Sequence, residues 1–341
     1  MSEPDSTTAA LKVALPPLAG ARLQSLRLSD GIATLVLDVA GLDRLERDRL
    51  EMAVKDALRK VDGVKEVRVA MTADKAPEKP RPLIIAIGSG KGGVGKSTLS
   101  TNLAVALARM GRKVGLVDAD IYGPSQPRLL GNEGQRPKAS EKKLFPVPSN
   151  WGVPVLSMGH LIEPGKAIAW RGPMAGNALG QLVDAEWGDI ELLIVDLPPG
   201  TGDVQLTMLQ RHKPAGAIIV STPQDLALMD ATRALQLFEQ GGVPVIGLVE
   251  NMSGYECPHC GEVSDPFGQG GVEAAAKVMG HTFLGRVPLD LSIRQDSDAG
   301  KPPAAGDGPQ AEAFAAIARR LATWLDNQPS GMKSGKASAQ A

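Results

Sequence analysis

Cys257 and Cys260 are the only cysteines in this chain of 341 residues, and Phe, Tyr and Trp together make up just 3% of it. So few thiols exclude a disulfide framework and fit a reducing, cytoplasmic setting. So few rings leave Leu, Val, Ile and Ala to form the core. An excess of either charge is also missing, since 37 Lys and Arg face 38 Asp and Glu, for a net charge of −1. Without a basic cluster, that balance argues against nucleic acid as a partner. No apolar run approaches the ~20 residues of a membrane span, and a membrane partner is not expected. The opening "MSEPDSTTAALKVALPP" lacks the basic and then apolar order of a signal peptide. What remains is an ordinary globular composition, 43% hydrophobic, long enough for one large α/β domain and one small one.

The pattern along the chain divides it. Residues 1–10 and 328–341 are small and polar and are expected to be disordered tails. Residues 11–71 read as a small ββαβ domain. In it, "LQSLRLSDGIATLVLDV" forms two strands turning at Asp30-Gly31. A helix carrying Leu50, Val54, Ala57, Leu58 and Val61 at helical spacing follows, and "VKEVRVAM" closes the unit. With neither Cys nor His, it offers no evident metal site and reads as a docking or packing module. Residues 72–82, with Pro77, Pro80 and Pro82 among charges, form a linker.

Residues 83–327 have a different texture. The runs "LIIAIG", "KVGLVDAD", "LLIVDLPPG", "AIIVSTP", "VIGLVEN" and "TFLGRVP" are apolar without alternation. That is the mark of parallel strands covered on both faces. Helical segments lie between them, so the expected fold is α/β, a doubly wound, mostly parallel sheet of the P-loop NTPase kind. One of these helices lies in "TPQDLALMDATRALQLFEQGG", with Thr222 expected as N-cap, Pro223 at its first position and Gly241 past its end. Phe314, Ile317, Leu321 and Leu325 mark an apolar stripe on the last helix, expected to pack on the domain. "NEGQRPKASEKKLFPVPSN" is polar and broken by proline, and reads as a mobile excursion.

Gly90, Gly95, Lys96 and Ser97 fit the pattern G-x-x-x-x-G-K-[ST] after a buried strand and before a helix with Leu99, Leu103, Ala106 and Met110 on one side. Glycines let successive backbone N–H groups converge on phosphate oxygens, and the helix N-terminus adds partial positive charge. The binding loop is therefore Gly90, Gly92, Gly93, Val94, Gly95, Lys96, Ser97 and Thr98. Lys96 would reach the β- and γ-phosphates and Ser97 would ligate Mg2+. Asp118, Asp120 and Asp196 follow buried strands, at the end where such sheets bind ligands, and Asp196 is placed to hold the metal's water shell. "PPGTGD" reads as a segment that senses the γ-phosphate. No guanine-reading N-K-x-D is present, so ATP is the expected nucleotide, with the Asn251 amide at the purine edge.

The second lysine in this loop, Lys91, carries a resemblance. "KGGVGKST" is similar to the deviant Walker A loop of the ParA/MinD/nitrogenase-iron-protein class. "DADIYGPS", "WRGPM", "LLIVDLPPGTGD", "VENMSGYECPHCG", "FGQGG" and "GRVPLD" extend the likeness to the Mrp/ApbC-type iron–sulfur cluster carrier ATPases. The small N-terminal domain departs from that family, with "ALPPLAGARL" where an Asp-Pro-Glu segment often stands. The resemblance implies that Lys91 reaches the nucleotide of a partner subunit, so that ATP favours a homodimer. It also implies that Lys91 and Lys96 stabilise phosphoryl charge, Ser97 and Asp196 hold Mg2+, Asp120 orients the attacking water and Asp118 supports the metal side.

A lone C-x-x-C is ambiguous among a redox dithiol, half a zinc site and half a cluster site. Two thiolates cannot close a 4Fe-4S cluster, but a two-fold dimer doubles the supply, so Cys257 and Cys260 from each subunit would hold one bridging cluster. His259, between them, reads as an exposed bystander. The expected activity is ATP hydrolysis serving cluster transfer, with apo iron–sulfur proteins as acceptors and a cluster assembly scaffold as donor. Two alternatives remain, a ParA/MinD-like positioning ATPase and a zinc-stabilised nucleotide switch that binds proteins. Cys257 lies six residues after Asn251, close enough for the nucleotide cycle to act on a bridging cluster.

Overall fold

Leu11 and Leu15 stand one helical turn apart, and both are buried. They draw the first residues of the chain onto a small sheet as helix α1 (Ser6–Ala14), followed by α2 (Pro17–Ala21). The expected tail of ten residues therefore gives way to helix at Ser6, and "ALPPLAGARL" supplies α2. Strands β1 (Leu23–Ser29) and β2 (Ile32–Asp38) pair antiparallel across Asp30-Gly31. Both turn residues have positive φ, 54° and 81°, which suits the right-handed twist of a two-residue hairpin. Asp43 and Glu46 form a reciprocal capping box that starts α3 (Arg44–Leu58). Leu50, Val54 and Leu58 bury its inner face, and β3 (Glu66–Thr72) returns parallel to β2. The computed structural model describes residues 6–72, 81–140, 143–161 and 172–328, and the chain divides into two compact units, Met1–Lys79 and Pro80–Ala341.

The larger unit alternates strand and helix. In order it contains β4 (Leu83–Ser89), α4 (Lys96–Arg109), β5 (Val114–Asp118) and α5 (Gln126–Leu129). A short pair, β6 (Lys138–Ser140) and β7 (Lys143–Phe145), comes before β8 (Val155–Ser157), α6 (Met158–Leu161), α7 (Gly172–Val183) and β9 (Leu192–Asp196). Then come α8 (Asp203–Thr207), continuing as a π-helical turn over Met208–His212, β10 (Gly216–Ser221), α9 (Asp225–Gln240) and β11 (Val245–Asn251). The chain closes with β12 (Tyr255–Glu256), β13 (Val263–Ser264), α10 (Gly271–Met279), β14 (Phe283–Val287), α11 (Leu291–Asp298) and α12 (Pro309–Asp326).

Seven of these strands form one sheet in the order β14-β11-β10-β4-β9-β5-β8, and every neighbouring pair is parallel. Successive residues of β4 face opposite cores. Ile85 and Ile87 join α4 and α12 on one side, while Ala86 joins α7, α9 and α10 on the other. Both faces are dry, which is why these strands read as unbroken apolar runs. Phe314, Ile317, Leu321 and Leu325 of α12 are all buried against the sheet, as expected. The phosphate loop leaves the central strand at its carboxyl end, where β4 lies between β9 and β10.

Several local readings are corrected. β8 joins the sheet as a seventh strand that three apolar-flanked residues did not announce. The polar excursion contains the antiparallel pair β6–β7. Thr222 is not the N-cap of α9, because Gln224 occupies that position in extended backbone and the Pro223 carbonyl lies against Gly271 at the start of α10. Met110 is the C-cap of α4 and is 45% exposed, since the helix leaves the core there. Residues 73–80 of the expected linker, 329–341 of the expected tail, and Trp170 and Arg171 of "WRGPM" lie outside the described residues. Among the described residues no helix is long and apolar enough to cross a membrane.

Candidate functional site

Parallel register sets the site. β5 and β9 are neighbours, and Asp118 pairs with Asp196 at their carboxyl ends, so two carboxylates far apart in sequence end side by side. The loop after β4 brings a cation to them. The Lys96 ammonium lies 2.7 Å from Asp196 Oδ1 and 3.8 Å from Asp120 Oδ2, and all three side chains are nearly or wholly buried. Ser100 Oγ donates to the same Asp196 oxygen at 2.9 Å, and Gln126 Nε2 donates to Oδ2 at 2.9 Å. A buried charge is tolerated only with this completeness of pairing.

Asp118 accepts from Ser157 Oγ (2.8 Å), Gln126 N (3.1 Å) and Asp120 N (3.2 Å). Burial and the neighbouring Asp196 charge nevertheless push its carboxyl up to about 7, against the opposing pull of the Gln126 N–H, the Ser157 hydroxyl and Lys96. Asp118 is wholly buried and does not line the cleft, so it braces the site from behind. Asp120 does line the cleft, with Oδ1 held by the N–H groups of Tyr122 (3.1 Å) and Gly123 (3.2 Å).

The cleft encloses about 250 Å³ and is walled by Lys91, Gly92, Gly93, Lys96, Ser97 and Thr98 together with Asp120 and Pro199. Two glycines are required by space. A Cβ on Gly90 would lie 2.0 Å from the Asp230 backbone of α9. One on Gly95, which caps α4 at φ 82°, would lie 2.0 Å from Asn251 Nδ2. Asn251 donates that Nδ2 to the Val94 carbonyl at 2.8 Å, so the residue expected at a purine edge grips the loop itself. The Gly200 N–H donates to the Ser89 carbonyl at 2.9 Å, joining "PPGTGD" to the loop. Gln205 Nε2 braces the same segment at the carbonyls of Pro198 (2.7 Å) and Gly200 (3.0 Å).

Cys257 and Cys260 sit on the small hairpin β12–β13, remote in character from the buried network. The Cys257 N–H donates to the Glu262 carbonyl and the Gly261 N–H to the Cys257 carbonyl, both at 2.9 Å. The turn aims backbone N–H groups of His259 and Cys260 at the Cys257 sulfur, and these, with the Cys260 thiol, hold Cys257 below its ordinary value. The His259 ring is exposed. Among the described residues no group of three or more Cys, His, Asp and Glu side chains is placed to hold a metal ion, so the thiol pair has no third ligand there.

Gln126, Ser100, Ser157 and Gln205 carry much of this geometry and escaped the reading of sequence. They are ordinary polar residues without periodic or spacing signals, and only Gln126 lies beside a quoted motif, one residue after "DADIYGPS".

Residues 82–322 match the family model described as ParA: NUBPL iron-transfer P-loop NTPase. An iron–sulfur cluster carrier protein of Deinococcus radiodurans is 45% identical over 285 residues, 81% of each chain. One of Escherichia coli is 48% identical over 241 residues, 70% of this chain and 64% of that protein. Among solved structures, a nucleotide-binding protein of Archaeoglobus fulgidus in complex with ADP is 40% identical, with a TM-score of 0.58 over 68% of this chain and 91% of its own. A MinC:MinD cell division complex of Aquifex aeolicus, 23% identical with a TM-score of 0.55 over 71% of this chain and 96% of its own, shares the fold. By the loop, the sheet and these likenesses, the chain belongs to the ParA family of P-loop NTPases, in the iron-transfer group that the matching model describes.

Proposed function

We propose that this protein is an ATP-hydrolysing carrier that binds a 4Fe-4S cluster across a homodimer interface and passes it to apo-proteins in the cytoplasm, receiving it from a cluster assembly scaffold. The observation that carries this reading is an asymmetry within one chain. The phosphate loop has its lysine, carboxylates and braces, whereas the pair Cys257 and Cys260 has no further ligand among the described residues. A second copy is the simplest source of two more thiolates. Leu226 and Met229, 72% and 57% exposed on α9 beside the segment that Gly90 abuts, give that copy an apolar surface near the loop.

The chain's own residues supply the chemistry. Loop N–H groups and the start of α4 would cradle the phosphates. Lys96 would exchange its longer pairing with Asp120 for phosphoryl oxygens and keep Asp196. Asp120, freed at the cleft, would orient water for attack, and Lys91 from the partner would add charge where it develops in the transition state. The donor set suits Mg2+. Ser97 opens onto the cleft, while Asp196 has both oxygens engaged behind it, so Ser97 would hold the ion directly and Asp196 its water shell. The ion would neutralise charge on the β- and γ-phosphates.

The test is anaerobic loading of the purified chain with iron and sulfide, beside Cys257→Ser, followed by metal analysis, absorbance and sizing. The expected result is a brown dimer with about four irons per pair of chains and a colourless variant. Iron on a single subunit overturns the proposal, and zinc alone at the thiols supports a nucleotide switch instead.

A further inference from the structure

The residue before Asn251 is Glu250, wholly buried at the end of β11. Its carboxylate accepts from Ser253 Oγ (3.0 Å), Gly270 N (3.1 Å), Val272 N (2.9 Å) and Arg286 Nε (3.0 Å). Ser253 lies where the chain leaves the sheet for the cysteine hairpin, and Gly270 and Val272 lie where it returns into α10. One side chain therefore pins both ends of the segment that bears Cys257 and Cys260. Arg286 adds charge and ties the carboxylate to Glu273 of α10. Between clamp and hairpin, Met252 is held at φ 60°, a conformation that a residue with a Cβ keeps only when its surroundings insist.

On the other side of the peptide bond, Asn251 grips the Val94 carbonyl inside the phosphate loop. The two neighbours thus hold opposite structures, one the loop and the other the base of the hairpin. A carboxylate fixed by four donors is stiff, so a displacement of Val94 has little slack before it reaches Ser253 and Gly270.

We propose that Glu250 is a positioning residue that relays the state of the phosphate loop to the cysteine hairpin, with Asn251 as the contact on the loop. This rests on the nucleotide and thiol roles proposed above. Glutamine in place of Glu250 keeps the shape but turns one acceptor into a donor facing backbone N–H groups, and it removes the charge opposite Arg286. The relay then loses stiffness while the loop keeps every residue.

Because the chain has two cysteines, alkylation of the full-length protein followed by peptide mass spectrometry reports on this hairpin alone. In the wild type, saturating MgATP should change the alkylation rates of Cys257 and Cys260 roughly fivefold or more, the lower range for coupled sites. In Glu250→Gln, nucleotide affinity should stay at the wild-type value and the rate ratio with and without MgATP should fall to about one. Ser253→Ala, which removes one of the four donors, should give an intermediate ratio, and it decides by the same criterion should Glu250→Gln not fold. A wild type that binds nucleotide without any change in thiol rates, or variants that keep the full ratio, overturns the relay. Iron loading separates the two proposals. Coupled thiols in a protein that builds no cluster sink the carrier reading alone, and a cluster-loaded protein with uncoupled thiols sinks the relay alone.

Discussion

The phosphate loop and the cysteine hairpin are built on opposite plans. Around Lys96, charges are buried and every oxygen of Asp196 is engaged before any nucleotide arrives. Around Cys257, the chain offers two sulfurs on a two-stranded turn, one of them exposed, with backbone N–H groups supporting the Cys257 sulfur. The first site is preorganised by tertiary structure, at the cost of holding charge away from water. The second is preorganised only by its own turn. The difference teaches where each is vulnerable, the loop to the loss of one partner among many, and the hairpin to the loss of ligands alone.

Lys96→Ala should break this contrast most severely. It leaves buried carboxylates without their cation, so urea unfolding should show a loss of roughly 3–5 kcal/mol. Phosphate release should fall by on the order of 100-fold or more. Adding Asp196→Asn should recover part of the stability and none of the hydrolysis. Gly90→Ala comes next, because its Cβ meets the α9 backbone rather than a yielding side chain. It should cost about 1–3 kcal/mol and weaken nucleotide binding by titration. His259→Ala on the hairpin should stay within about 0.5 kcal/mol of the wild type in the same urea assay.

The pH dependence of the buried network sharpens the comparison further. Folding raises the Asp118 carboxyl from 3.8 to about 7, so across that interval the native state holds a proton that the unfolded chain has released. The contribution of Asp118 to stability is therefore fully present below the lower value and is lost as pH rises toward the upper one. Asp118→Asn should flatten that fall in urea midpoints measured on the nucleotide-free protein. The smallest effect belongs to the hairpin. Cys257 should alkylate faster near neutral pH than a cysteine without such backbone donors, as read by peptide mass spectrometry.

How much of this was legible depends on distance along the chain. The phosphate loop could be read because its glycines, lysine and serine lie within eight residues of one another and between a strand and a helix. The α12 stripe was legible because periodicity reports burial directly. β8 was not, since three residues are too few to show a pattern, and α1 was hidden by a polar beginning whose helix is held by Leu11 and Leu15 against a core formed later in the chain. Asn251 was expected at a purine edge, and its grip on Val94 was not legible because it depends on how closely Gly95 lets it approach.

Local order alone determined the longer apolar strands, the anion-binding turn and the spacing of the two thiols, because each follows from backbone freedom and from which side chains neighbours can bury. Only the tertiary structure decided that Lys96 faces Asp196, 100 residues away, that Gln126 joins the two aspartates, and that Glu250 fastens the cysteine segment. Those partnerships follow from the order of strands in the sheet. That order buries apolar residues on both faces of the sheet, and no short window of sequence contains it.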